Sequence, residues 1–310
     1  MPPEKSIVDK LKKPLVLLLT VLFFGSGTLY YYIKGDTKAP GFGSHADDYS
    51  VTGMELHFLD VGQGDCTLLL HEEYAVLIDG GEYENGSFIR SYLKEHGVEK
   101  LDLMVASHRH SDHLGGLTAV LEEVEVTEIL INPDRNSEDV DSFAQTIFLD
   151  AAAEQDLTVT VAQAGMTYSF EDMHITVLSA FSENTDENEH SVVLTASCEG
   201  ITALFTGDIG GAAEKELVQA GCLSDCDILK MAHHGSNYSN SDTFLHVISP
   251  EVAVVSCGVD NMYGHPGADA LYRLAAIGAD IYRTDLNGTV QITCSAGKIN
   301  VITDGKDREK

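Results

Sequence analysis

Three histidines and an aspartate fall within six residues at His108-Arg109-His110-Ser111-Asp112-His113, directly after the apolar run from Leu101 to Ala106. Such a run reads as a buried strand, and Gly115-Gly116 followed by Leu117 to Val124 reads as a turn into a helix. The cluster is therefore expected on a tight loop at the carboxyl end of a strand. Imidazole nitrogen and carboxylate oxygen are the ligands that a borderline divalent ion such as zinc takes, and a loop lets close neighbours converge on it. A solvated polar loop also tolerates histidine and aspartate, but His108, His110, Asp112 and His113 at this density select metal binding.

The 310 residues suffice for one large domain or two modest ones, and a hydrophobic fraction of 44% suits a folded core. A net charge of -30 favours solubility and opposes contact with polyanions such as DNA or anionic lipid headgroups. No basic nucleic-acid track is present; only Lys5, Lys10, Lys12 and Lys13 run the other way. Six cysteines do not form a disulfide framework. Cys66, Cys198, Cys257 and Cys294 lie in strand-like apolar runs and are expected as packed thiols, while Cys222 and Cys226 are near enough in sequence to pair in an exported domain.

Residues 1–13 form a basic tail, and Pro14 to Ile33 contains no charged side chain. A helix of that length spans roughly 30 Å, the hydrocarbon thickness of a bilayer. Lysines before it and acidic sequence after it place the amino terminus in the cytoplasm, with Tyr30, Tyr31 and Tyr32 at the outer interface. A cleaved signal peptide is the competing reading; its apolar region would be shorter and would end at a small-residue site, which only Gly25-Ser26-Gly27 approaches. The expectation is an uncleaved single-pass anchor in the cell membrane, with the rest of the chain outside. Residues 34–53 read as a linker, 54–303 as the folded domain and 304–310 as a polar tail.

Within the domain short strands alternate with helical stretches. Hairpins close on aspartates beside glycines at Asp79-Gly80-Gly81 and at Gly207-Asp208, a weak internal echo. Two similar halves imply paired sheets covered by helices on both outer sides. A closing hairpin is expected from Ile281 to Arg283 and Val290 to Cys294.

One loop cannot close a dinuclear site, so other ligands must converge on it. Asp208, at a strand end between glycines, is placed to bridge two ions, or to cap the helix from Ala212. His233-His234-Gly235-Ser236 follows the apolar strand Ile228 to Ala232. His190 precedes the strand from Ser191 and sits in an acidic loop; ligand and solvated histidine are equal readings there. His265 lies in a loop before a helix. His57, His71, His96, His174 and His246 lack ligand-type neighbours and read as structural or surface residues.

His108-x-His110-x-Asp112-His113 resembles the signature loop of the metallo-β-lactamase superfamily. Asp60-Val61-Gly62-Gln63-Gly64-Asp65, Ile78-Asp79-Gly80-Gly81, Thr206-Gly207-Asp208, Lys230-x-x-His233-His234-Gly235-Ser236 and Tyr263-Gly264-His265-Pro266 make the likeness narrower. Together they resemble the carboxy-terminal hydrolase domain of the ComEC family of competence proteins, from about Met54 to Thr293. The resemblance implies an αββα sandwich, an α/β fold, with the site at one edge between the sheets. It implies one ion held by His108, His110 and His190 and another by Asp112, His113 and His234. Asp208 would bridge both, and Asp79 would orient a ligand histidine through its free ring nitrogen. Of the pair at His233 and His234, His234 is carried over as the ligand. The multi-span transport region of that family has no counterpart among these residues, and no DNA-uptake channel is expected from them.

The expected activity is that of an extracytoplasmic dinuclear metallohydrolase, a phosphodiesterase or nuclease using a metal-bridging hydroxide. Zinc is the first expectation for both ions and manganese the second. Asp112 and Asp208 hold the ions, and His233 or His265 neutralises the phosphate or protonates the leaving oxygen. The substrate is a small molecule, a nucleotide, an envelope polymer or DNA; the bilayer is engaged through residues 14–33, and no feature requires a protein partner. The same site could serve a carboxylic ester, lactone or β-lactam. A non-catalytic module using metal for structure would hold about one ion.

Overall fold

The computed structural model describes residues 53–132, 140–178 and 186–305. The basic tail, the anchor at 14–33 and most of the linker lie outside the described residues, as does the end of the polar tail. Among the described residues no helix is long and apolar enough to cross a membrane.

An eight-stranded sheet runs in the order Lys298–Thr303, Val290–Ser295, Met54–Phe58, Thr67–His71, Tyr74–Ile78, Leu103–Ala106, Glu128–Ile131, Thr158–Val161. Pairing is antiparallel as far as Tyr74–Ile78 and parallel beyond it. A seven-stranded sheet runs Asp280–Arg283, Val252–Val255, Ile228–Lys230, Ile201–Phe205, Leu194–Cys198, Met173–Val177, Thr167–Phe170. Here pairing is parallel as far as Ile201–Phe205 and antiparallel beyond it.

Strand side chains alternate between faces, and both faces are apolar, which is why these strands read as nearly continuous apolar runs. Val76, Leu103, Val105, Leu194, Ala203, Phe205 and Val254 pack into one core between the sheets. Phe58 stacks on Phe205 across it, with ring centroids 6.2 Å apart. The intervening residues face outward. Leu77 and Met104 meet Ile89, Leu117 and Phe148 from the helices Gly86–Glu95, Ser111–Leu121 and Val140–Glu154. Leu204 and Ala253 meet Leu217, Phe244 and Leu274 from Gly211–Ala220, Asp242–Ile248 and Ala268–Ile277. The result is the expected αββα sandwich.

The structure corrects the sequence reading at two places. Gly115 and Gly116 do not form a turn; they lie inside the helix Ser111–Leu121, which also takes Asp112 and His113 into its first turn, so only His108 to His110 sit on the expected loop. The role of the two glycines is close approach, since a Cβ on Gly116 would sit 1.9 Å from the Gly80 carbonyl oxygen and one on Gly115 would sit 2.5 Å from the Tyr83 nitrogen. The helix is thereby pressed against the turn that carries Asp79. Gly116→Ala is expected to cost about 3 kcal/mol, because the clash is with backbone. The urea midpoint measures it, and an unshifted midpoint would show that the turn yields freely.

The second correction concerns the chain end. Asp280–Arg283 and Val290–Ser295 belong to different sheets and do not pair. The short helix Thr284–Asn287 carries the chain across, anchored where Thr284 Oγ1 accepts from the Cys257 nitrogen at 2.9 Å. Val290–Ser295 turns back instead through Ala296-Gly297 into Lys298–Thr303, with both turn residues at positive φ (51° and 69°) as a tight hairpin requires. Lys298–Thr303 and Thr167–Phe170 escape the sequence reading because they are half-exposed edge strands with mixed polarity.

Candidate metal centre

Parallel pairing brings the carboxyl ends of strands from both sheets to one edge. Ile78 is in register with Val105, and Phe205 with Lys230, so the residues that follow them emerge together. Asp79, the histidine loop, Asp208 and His233-His234 are those residues. Asp79, His233 and His234 hold left-handed backbone at φ 57°, 52° and 50°. Non-glycine residues adopt it at a cost of order 1 kcal/mol each, which neighbouring hydrogen bonds must sustain. One such bond runs from the His233 nitrogen to the Gly207 oxygen at 3.1 Å, tying the histidine turn to the Asp208 turn.

His113, His234, Asp112 and Asp208 converge at this edge. His113 Nδ1 donates to Asp79 Oδ2 at 2.9 Å, and His234 Nδ1 donates to the Ser256 carbonyl at 3.0 Å. With Nδ1–H committed, the Nε2 lone pair of each neutral ring points inward. His113 Nε2 lies 3.4 Å and His234 Nε2 3.3 Å from Asp208 Oδ2, and His234 Nε2 lies 3.2 Å from Asp112 Oδ2. Lone pairs facing carboxylates at this range repel unless a proton or a cation lies between them.

The ionisation pattern follows the same logic. Burial alone would depress both imidazoles, but Asp208 and its neighbouring carboxylates outweigh it and hold His113 and His234 well above their ordinary value. Burial alone would raise Asp208, yet His234 and His113 keep it well below the usual carboxylate range. In the metal-free protein, protons occupy the positions that a cation would take.

Beside His113 lies His108, with the two ring centroids 4.1 Å apart. Asp79 Oδ2 accepts from Ser107 Oγ at 2.7 Å, so Ser107 Oγ accepts in turn from His108 Nδ1 at 3.1 Å. His108 Nε2 then meets His110 Nδ1 at 3.0 Å. Burial, reinforced by His113, holds His108 well below its ordinary value, so the ring is neutral and its Nε2 carries a lone pair. His190 is buried, and neither of its ring nitrogens has a hydrogen-bond partner among the described residues; the same is true of Asp208 Oδ1. His190 adjoins Ser191, whose Oγ accepts from the Asp208 nitrogen at 3.0 Å, and the next nitrogen, of Val192, donates to the Ser107 oxygen at 2.8 Å. Orphaned buried nitrogens and oxygen of this kind fit a second cation.

His233 Nε2 lies 3.9 Å from Asp208 Oδ2, with its side chain 30% exposed. The His265 ring lies 5.5 Å from that of His233 and 6.5 Å from that of His234. Burial holds both His233 and His265 below the ordinary imidazole value, helped by their histidine neighbours. They are neutral hydrogen-bond donors at neutral pH rather than cations.

Two residues gained no role from the sequence. Asp65 and Lys230 are buried, with Lys230 Nζ 2.5 Å from Asp65 Oδ2. Asp65 Oδ1 lies 3.2 Å from His234 Nδ1, and its Oδ2 lies 3.7 Å from His113 Nδ1. Asp65, His113, Asp208 and His234 each offer a ligand atom within 4.8 Å of the others. Asp65 lies at the Nδ1 edges of both rings and holds them in place from that side. The signal for it was a lysine inside the apolar strand Ile228–Lys230, since a buried ammonium requires an acid partner. A further ion pair, from the buried Arg109 to the half-buried Glu187 at 2.9 Å, ties the histidine loop to the segment before His190. Asp65→Asn is expected to weaken metal affinity by about 10- to 100-fold, measured by competition with a chromogenic chelator. Unchanged affinity would show that Asp79 and Ser256 suffice to aim the rings.

The other described histidines are structural or surface residues, as read: His57 Nδ1 bonds Tyr92 Oη at 2.8 Å, His71 Nδ1 bonds the Gly53 oxygen at 2.6 Å, and His174 and His246 are exposed. All six cysteines are free thiols, with Cys222 exposed and Cys226 buried.

Four layers with this constellation at the sheet edge define a metallo-beta-lactamase superfamily domain; the superfamily's model matches residues 59–145, and its members are generally metal-dependent hydrolases. The relatives in sequence are ComEC-like competence proteins. The chain is 28% identical over 256 residues to ComE operon protein 3 of Bacillus subtilis (strain 168), covering 76% of this chain and 32% of that protein. It is 32% identical over 245 residues to competence protein ComA of Neisseria gonorrhoeae, covering 77% of this chain and 32% of that protein. The chain thus spans about a third of the length of these curated relatives. Among solved structures it is similar to the metallo-beta-lactamase fold protein YhfI from Bacillus subtilis, with a TM-score of 0.50 and 10% identity over 81% of this chain and 100% of that one. That likeness speaks for the fold alone.

Proposed function

We propose that this chain is a membrane-anchored, extracytoplasmic phosphodiesterase working with two divalent ions, zinc in first place and manganese in second. The observation that carries the proposal is Asp208, whose Oδ2 faces the Nε2 atoms of two imidazoles while its buried Oδ1 has no partner among the described residues. His108, His110 and His190 would hold one ion, Asp112, His113 and His234 the other, and Asp208 both. When bound, the ions supply Lewis acidity and lower the pKa of water toward neutrality.

The chain's own groups do the rest. Asp79, Ser107, Asp65 and Ser256 fix ring orientation from the Nδ1 side, so the Nε2 atoms of His113 and His234 are aimed before anything binds. His233 and His265, as neutral imidazoles, would donate N–H hydrogen bonds to a phosphoryl oxygen, and the leaving oxygen takes its proton from solvent. The kinship with competence proteins supports a phosphate ester. A net charge of -30 favours a small or zwitterionic diester, a nucleotide or an envelope polymer over a long polyanion such as DNA. The uncharged run from Pro14 to Ile33, with lysines before it, supports anchoring with the domain outside the cell.

The test is metal analysis of the full chain, then turnover of bis-p-nitrophenyl phosphate, an aryl carboxylic ester, a lactone and a β-lactam with each ion restored. The expected result is close to two equivalents of metal and turnover of the phosphodiester. One equivalent without turnover would instead mark a metal-stabilised binding module, and preference for a carbonyl substrate would reassign the bond.

A further inference from the structure

The loop that brings His265 to the centre continues outward into two exposed apolar side chains, Met262 at 89% and Tyr263 at 64% exposure. Building on the phosphodiesterase reading of the centre, we infer that Tyr263, flanked by Met262, is a stacking surface for a planar, nucleobase-like ring carried beside the substrate's phosphate. The preferred substrate is then a small nucleotide-type phosphodiester.

The rings form a path from the interior to solvent. His234 is buried; the His265 ring lies 6.5 Å from it at an interplanar angle of 32°, and the Tyr263 ring lies 5.9 Å beyond at 16°. Tyr263 therefore stands nearly parallel to His265 and leads away from the cluster around Asp208. A diester whose phosphate sits at that cluster would carry its substituent along this path.

The platform is held in place before any ligand arrives. The Asn261 side chain donates to the Gly258 oxygen at 2.9 Å and to the His265 oxygen at 2.5 Å, and accepts from the His265 nitrogen at 3.0 Å. Gln63 Oε1 accepts from the Gly258 nitrogen at 3.3 Å, joining the loop to the turn that carries Asp65. Gly235, at φ 80°, packs so closely that a Cβ there would lie 2.6 Å from the Pro266 Cβ, and its oxygen accepts from the Gly267 nitrogen at 2.8 Å. The tyrosine loop is thus locked to the turn that carries His234. Apolar side chains exposed on a loop this constrained point to a ligand, because little ordering entropy is lost on binding.

Charge separates a small diester from a strand. Surfaces that track single-stranded nucleic acid combine stacking rings with a positive groove. Here residues 256–267 contain no lysine or arginine, and the cations beside the centre, Lys230 and Arg109, are buried in ion pairs with Asp65 and Glu187. Rings without a basic track recognise one base and not a chain of phosphates.

The experiment compares two diesters with the same leaving group, methyl p-nitrophenyl phosphate and the p-nitrophenyl ester of thymidine monophosphate, on the metal-loaded full chain. The thymidine ester is expected to be preferred by roughly tenfold in kcat/KM, mostly through KM. Tyr263→Leu should abolish the preference, Tyr263→Phe should keep it, and Tyr272→Leu, at an exposed tyrosine on the helix Ala268–Ile277, should leave it as in the parent. The same preference in Tyr263→Leu, or none in the parent, would overturn the assignment. Faster cleavage of an oligothymidylate than of the thymidine ester at low ionic strength would overturn the small-substrate part. If neither diester turns over, the phosphodiesterase reading fails, and calorimetry with thymidine monophosphate against methyl phosphate decides the platform. Tighter, Tyr263-dependent binding of the nucleotide sustains it, and equal affinities overturn it.

Discussion

Asp208→Asn is expected to leave the fold intact and to reduce metal-dependent turnover of bis-p-nitrophenyl phosphate by about a thousandfold, roughly 4 kcal/mol of barrier. The carboxylate meets the rings of His113 and His234 at the edge where the two sheets converge. Its Oδ2 is 3.4 Å from His113 Nε2 and 3.3 Å from His234 Nε2, and its Oδ1 is buried without a partner among the described residues. An amide of the same shape keeps the backbone anchor, since the Asp208 nitrogen bonds Ser191 Oγ at 3.0 Å whatever the side chain. It cannot supply a negative charge to two cations, and its NH2 would clash with a bound ion. A melting curve close to the parent's, with kcat/KM down by about three orders of magnitude, is the expected pair of observations. Full activity in the variant would remove the dinuclear mechanism.

How much of this centre could be read beforehand follows from what local sequence encodes. His108 to His113 announce themselves because a strand end, a short loop and the first turn of the helix Ser111–Leu121 bring them together without help from the rest of the chain. Asp79 and Asp208 were visible as acids closing hairpins beside glycines, and the structure places both at the cluster. Asp65 and Lys230 were quoted within motifs but carried no role, since their partnership, 2.5 Å apart, exists only where the connection between two strands of one sheet meets a strand of the other. The pair Gly115-Gly116 misled for a related reason: glycine marks a turn in local sequence, but here it marks contact with a segment remote in the chain. The αββα layering was readable from alternating apolar runs, whereas the edge strands Thr167–Phe170 and Lys298–Thr303 bury one face only and left a weak pattern.

Removing the metal is expected to convert the domain into one whose stability falls as pH rises through neutrality, while the loaded domain becomes relatively more stable. The sign follows from the displaced ionisations. His113 and His234 are raised above their ordinary 6.5, so the stability they contribute is complete below that value and is lost as pH climbs through their raised values. Asp208 and Asp65 are depressed below 3.8, so their contribution is complete above that value and is lost only as pH falls through their depressed values. Asp79 is raised by burial and acts with the histidines, whereas His108, lowered by burial, penalises the acid side and narrows the optimum. Metal-free protein should therefore melt highest at mildly acidic pH and lower at about pH 8. Bound metal reverses the trend, because it takes the Nε2 positions that protons occupied and its affinity rises as they leave. At a thousandfold excess over Kd, binding adds about 4 kcal/mol, which in a domain of this size raises Tm by about 10 °C. Calorimetry of chelator-treated and reloaded protein between about pH 6 and about pH 8 measures both slopes. A metal-free Tm that rises with pH, or a gap between the two forms that does not widen, would mean that the cluster of His113, His234 and Asp208 holds neither the protons nor the cation assigned to it.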